Sequence, residues 1–64
     1  MKTVEEAIEA AYEAHVKSLY EVLSQSLLAA NGDADDIRAA QNRFKRGLAF
    51  AAEVRRSARE AAGL

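Results

Sequence analysis

The chain has 64 residues, half of them hydrophobic, with no cysteine, no proline, a single histidine and a formal net charge of -1. That length admits one domain, which buries only about 60% of its unfolded surface, and the composition removes disulfides and thiol chemistry as ways to stabilise it. No apolar run reaches the roughly 20 residues that span a bilayer, and one lysine followed by Glu5, Glu6 and Glu9 is the wrong order for a signal or transit peptide, so a soluble cytoplasmic protein with no membrane partner is expected.

Thr3-Val4-Glu5-Glu6 reads as a capping box, the threonine hydroxyl taking a first-turn amide while Glu6 reaches back to the Thr3 amide. It predicts a first helix over about residues 3 to 30. At about 100° per residue, Ile8, Tyr12, Val16, Leu19, Val22, Leu23 and Leu27 fall on one half of the wheel and Glu6, Glu13, Lys17, Glu21 and Ser24 opposite. One neighbouring helix covers a narrower seam than this apolar sector. The first helix therefore calls for more than the partner its own chain supplies, which is the sequence argument for a homodimer. Leu28 sits off the stripe, one turn before the helix stop, and is read as packing on the chain just past the cap.

Residues 31 to 34 form the predicted turn. Asn31-Gly32 takes the left-handed backbone that ends a helix, and Asp33 caps the next one. Asp35 and Asp36 then lie in a first turn, where the helix dipole favours carboxylates. The spacing lacks the alternating ligands and terminal glutamate of a calcium loop, so these acids are read as caps. No metal and no cofactor are expected.

The second helix is predicted over about 34 to 62 and carries the cleanest periodicity: Ile37, Ala40, Phe44, Gly47, Ala51, Val54, Ala58 and Ala61 recur at intervals of three and four, with Leu48 beside them. Most of these side chains are small, so another helix can approach closely. Gly47 costs up to about 1 kcal/mol of helix propensity against alanine, which calls for a packing reason. A bulky residue of the first helix is expected against it.

Folding at the turn makes an antiparallel pair with its register known to about one helical turn. Leu27 and Leu28 then meet Ile37, residues 19 to 23 meet Phe44, and His15 comes near Phe50 and Ala51. At the open end Glu5, Glu6 and Glu9 face Arg55, Arg56 and Arg59, with the Arg55 stem packed and its head on a carboxylate. Charge agrees with this pairing, since residues 1 to 36 carry a net -6 and residues 37 to 64 a net +5. The fold class is all-α: one domain, a two-helix hairpin over residues 1 to 64, forming a four-helix bundle as a homodimer.

The chemistry available is sparse. Ser18, Ser24, Ser26 and Ser57 have no activating context, and the scattered glycines form no phosphate loop, so no enzyme is expected. His15, at the edge of the apolar face, is read as a packed and hydrogen-bonded side chain, because no further histidine or core carboxylate completes a ligand set. The residues assigned to the core and dimer interface are Ile8, Tyr12, His15, Val16, Leu19, Val22, Leu23 and Leu27 of the first helix and Ile37, Ala40, Phe44, Gly47, Leu48, Ala51, Val54 and Ala58 of the second. Together they suggest a small protein-association module, a structural adaptor or regulatory subunit, whose partner is itself with room for another protein. The alternative is a nucleic-acid-binding hairpin using Arg38, Arg43, Lys45 and Arg46. Those residues point in several directions on the wheel, and the overall charge is acidic, so the solvated basic face ranks above it.

Overall fold

The computed structural model describes residues 2 to 64. Two helices, α1 (Val4–Ala30) and α2 (Ala34–Ala61), pack against each other as an antiparallel hairpin. Thr3 starts α1 as anticipated: its Oγ1 accepts the Glu6 amide at 3.1 Å, and the Glu6 carboxylate accepts the Thr3 amide at 3.3 Å. The helix ends where Asn31 turns left-handed, at φ 49° and ψ 44°. The Asn31 amide donates to the Leu28 carbonyl at 3.2 Å, and beyond Gly32, itself at φ 84°, the Asp33 amide donates to the Ala30 carbonyl at 2.9 Å. These bonds satisfy carbonyls that a helix end leaves open. Asp33 then caps α2, its Oδ1 accepting the Asp36 amide at 2.9 Å. Asp35 and Asp36 follow in the first turn.

The hairpin is a slab of one helical layer, with Cα extents of 45 × 21 × 7 Å. Its inner seam on α1 is Tyr12, Val16, Leu19, Leu23, Ser26 and Ala30, spaced four and three throughout, all of them buried or half-buried. Opposite lie Ile37, Ala40, Phe44, Gly47, Ala51, Arg55 and Ala58 of α2. Gly47 meets the bulky neighbour expected of it: a methyl placed there would stand 2.6 Å from Leu19 Cδ2 and 3.3 Å from Leu19 Cδ1. His15 and Phe50 meet edge to face, their ring centroids 6.3 Å apart.

Several details differ from the sequence reading. Leu28 does not pack on the turn, since 82% of it is exposed. The cap is closed by backbone bonds instead, and the leucine stem points away from them. Glu6 is held by Thr3 in the capping box, and Arg56 pairs with Glu53 and Glu60 of its own helix at 2.7 and 2.8 Å, so neither joins the interhelical pairs. Those pairs are Glu9 with Arg55 and Glu5 with Arg59. His15 has a ring neighbour but makes no side-chain hydrogen bond among the described residues. Val22, Leu27 and Val54 stand outside the inner seam, exposed by 57%, 37% and 44%.

Candidate association face

Each helix carries a second heptad stripe beside the inner one. On α1 it is Val4, Ile8, Ala11, His15, Ser18, Val22, Gln25 and Ala29; on α2 it is Asp36, Ala40, Arg43, Gly47, Phe50, Val54, Ser57 and Ala61. Intervals alternate four and three in both, so each stripe keeps to one side of its helix with a drift of about 20° per heptad. The contacts between helices place the two stripes on the same side of the slab. A groove of about 410 Å³ is lined by Ile8, Ala11, His15 and Ser18 from α1 and by Ala51, Val54 and Ala58 from α2. Nearer the turn, Val22 and Arg43 border a smaller groove with Leu19, Leu23, Ala40 and Phe44. Ser26, Ala29, Ala39 and Asp36 line the last one.

This side is open and apolar. Val4, Val22 and Phe50 are each more than half exposed on it, and its only charged stripe members are Arg43 and Asp36. Helical spacing directs Glu13, Arg38, Lys45 and Arg56 to the opposite side or its margin. One side of the hairpin is therefore the more apolar, and the other carries most of the charge together with the exposed Tyr20 and Leu27.

Of the residues assigned to core and interface from sequence, Tyr12, Val16, Leu19, Leu23, Ile37, Ala40, Phe44, Gly47, Ala51 and Ala58 come together along the inner seam, with Leu48 half-buried at its margin. Ile8, His15, Val22 and Val54 belong to the open face, and Leu27 to the margin of the other side. Sequence reasoning missed Val4, Ala11, Ser18, Ala29 and Phe50 as members of one surface. The signal was present as a second set of four-three intervals, displaced by one residue from the first on α1 and sharing Ala40 and Gly47 with it on α2.

The four basic residues proposed for nucleic acid are not brought into one patch. Arg38 stands 3.9 Å from Asp35, Arg43 borders the open groove, and Lys45 and Arg46 diverge across the outer surface of α2. They are spread around roughly half the helix circumference.

At the open end the Arg55 guanidinium lies 4.9 Å from the Tyr12 ring centroid and donates to Glu9 at 2.5 Å. Glu9 Oε2 and Arg55 Nε are shielded from solvent with no hydrogen-bond partner, so this pair is fixed mainly by one short contact and the aromatic face. Arg59 donates to Glu5 at 3.3 Å one turn further out. On the surface of α2, the Arg56 hydrogen bond and charge hold the Glu53 carboxyl below the usual carboxylate range, and Arg56 is raised in turn. Among the described residues no group of three His, Cys, Asp or Glu side chains is placed to hold a metal ion, and no helix is long and apolar enough to cross a membrane. No protein-family model, curated protein or solved structure matches this chain.

Proposed function

We propose that this chain is a non-enzymatic protein-association module that acts as a homodimer, two hairpins closing their open faces into a four-helix bundle. One observation carries the reading: each helix has a second heptad stripe beside its inner seam, shared with that seam only at Ala40 and Gly47 of α2, and the hairpin leaves most of it open. A helix in a four-helix bundle touches two neighbours and needs two such stripes. Among the described residues the hairpin alone buries fully only Ala30, Ala40 and Ala51, a small core for a chain without disulfides. A slab 45 Å long and 21 Å wide matches in scale the about 800 Å² per partner of a standard interface. A second copy is the natural occupant, because an isologous contact asks one face to complement itself, and this face alternates large and small groups along its length. The outer, charged side remains available to a further protein, as an adaptor or regulatory subunit requires.

Sedimentation at micromolar concentration tests the proposal. The expected mass is twice the 7.0 kDa of the chain, and Phe50→Asp, which places a charge in the closed face, is expected to give monomers. A folded monomer for the unaltered chain overturns the reading. Salt-sensitive retention on nucleic acid, lost on replacing Arg43, Lys45 and Arg46, would support the basic-face alternative instead.

A further inference from the structure

The inference here rests on the homodimer proposed above and specifies how its two copies are arranged. Interhelical contacts fix the register of the hairpin: Glu9 lies opposite Arg55, Leu19 against Gly47, and His15 against Phe50. The open face can therefore be read in layers. His15 and Phe50 share one layer, and the next layer toward the turn holds Ser18 and Gly47. Beyond that come Val22 and Arg43, then Gln25 and Ala40, and nearest the turn Ala29 and Asp36. Toward the open end, Ala11 and Val54 share a layer, Ile8 and Ser57 the next, and Val4 and Ala61 form the last.

Two hairpins can close face to face about either of two twofold axes. An axis along the hairpin sets turn over turn and doubles every layer. Four rings, two His15 and two Phe50, would then crowd one layer beside another filled only by serine and glycine. Overfilled and empty layers each cost stability. The same axis brings both copies of Arg43 into one layer and both copies of Asp36 into another, like charges diagonally across a partly desolvated face.

An axis across the hairpin sets turn over open end, and each layer meets its counterpart from the other end. The His15 and Phe50 layer then meets Ser18 and Gly47, and Ala11 with Val54 meets Val22 with Arg43. The layer of Val4 and Ala61 meets Ala29 and Asp36. The rings of His15 and Phe50 then face Ser18 and Gly47, Val4 faces Ala29, Val54 faces Arg43 and Ile8 faces Gln25, and the two copies of Arg43 and of Asp36 are kept apart. In this arrangement α2 lies beside the α2 of its partner. Arg46 and Glu53, one heptad apart on the flank of the face, then come opposite Glu53 and Arg46 of the other copy. Within the chain Arg46 has no ion-pair partner among the described residues, and the Glu53 side chain remains 64% exposed while bound to Arg56. On α1 the exposed Leu28 comes beside the second copy's Ala7, which gives that leucine a neighbour.

We propose that two copies of this chain assemble head to tail about the crosswise axis, with each acidic turn over the open end of its partner and reciprocal Arg46–Glu53 pairs closing the flanks.

The chain has no cysteine, so Asp35→Cys gives a single site for a spin label at the exposed start of α2. Pulsed dipolar spectroscopy of the full chain is expected to read about 40 Å between labels, from some 27 residues of axial offset at 1.5 Å each. A distance of about 20 Å or less, which turn over turn would give, overturns the arrangement. A charge exchange gives a second readout. Arg46→Glu is expected to raise the dissociation constant about five- to thirtyfold through loss of two exposed pairs, and adding Glu53→Arg is expected to restore it. Restoration by Glu21→Arg in place of Glu53→Arg would overturn the proposal, because Glu21 faces the second copy's Arg46 only when turns coincide. Sedimentation of the labelled protein separates the two levels: a dimer with the short distance removes the arrangement alone, whereas a monomer removes the homodimer as well.

Discussion

Gly47 and Leu19 are two sides of one contact. Glycine in mid-helix weakens α2 by about 1 kcal/mol against alanine, and the 2.6 Å clearance to Leu19 Cδ2 is too small for a methyl unless the leucine tip moves. The two effects oppose each other. Overpacking typically costs about 1 to 3 kcal/mol, toward the lower end here because the obstructing atoms are the far end of a flexible side chain. Gly47→Ala is therefore expected to change stability by no more than about 1 kcal/mol in the intact chain, and to stabilise by about 1 kcal/mol in a Leu19→Ala background. A double-mutant cycle followed by denaturant unfolding is expected to show coupling of about 1 to 2 kcal/mol; additive effects would mean that the two residues do not touch. That Gly47 needed a bulky neighbour was legible in the sequence, because a glycine in a helical seam has a cost that packing must offset. Which neighbour it was depended on register, and periodicity alone carries register only to about a turn. His15 shows the opposite outcome. Its neighbour Phe50 was anticipated, but the hydrogen bond suggested by a lone histidine at an apolar edge is replaced by a perpendicular ring contact.

At the scale of elements, boundaries were legible because their causes are local. The capping box at Thr3, the left-handed Asn31 and Gly32, and the Asp33 cap each act within a few residues, and each appears as the sequence implied. Leu28 was misread because a hydrophobic contact across a helix stop needs an apolar residue beyond it, and Asn31 to Asp36 supply only Ala34. The turn also carries a prediction. A methyl at Gly32 would meet nothing within 4 Å, yet its φ of 84° is left-handed. Any cost of Gly32→Ala is thus conformational rather than steric, about 1 to 2 kcal/mol. Thermal or urea unfolding is expected to show that loss, and D-alanine introduced there by chemical synthesis is expected to stabilise instead, because it favours positive φ and restricts the unfolded chain. Destabilisation by both isomers would point to a contact and contradict the open space around Gly32.

The whole molecule poses a question of sufficiency. Interhelical ion pairs orient the hairpin, but pairs this exposed contribute about 0 to 1 kcal/mol each. Glu9–Arg55 is the best sheltered, with about 40% of each side chain still exposed. The Glu53 and Arg56 pair adds pH dependence of known sign: a lowered carboxyl favours the fold above its unfolded value, and the advantage is lost as pH falls through the folded one. The exposure of both side chains keeps that contribution small. What remains is apolar surface, and in the single hairpin much of it faces water: Phe50, Val4 and Val22 are 63%, 62% and 57% exposed. The sequence displayed this excess as an apolar sector too wide for one neighbour, but could not divide it into two stripes, because the side of α1 taken by α2 follows from the pairing. If the second stripe is filled by a second copy, folding and association are one equilibrium, and stability depends on concentration. With an unfolding enthalpy of about 0.7 kcal/mol per residue summed over two chains, each tenfold rise in protein concentration is expected to raise the melting temperature by about 5 °C. Calorimetry or circular dichroism between about 1 and 100 μM would register a shift of roughly 10 °C. The Phe50→Asp chain, with its face spoiled, is expected to melt lower and without that dependence. A melting temperature that stays constant across the range for the unaltered chain would mean that the hairpin is stable alone, and that its open face is held for a partner other than itself.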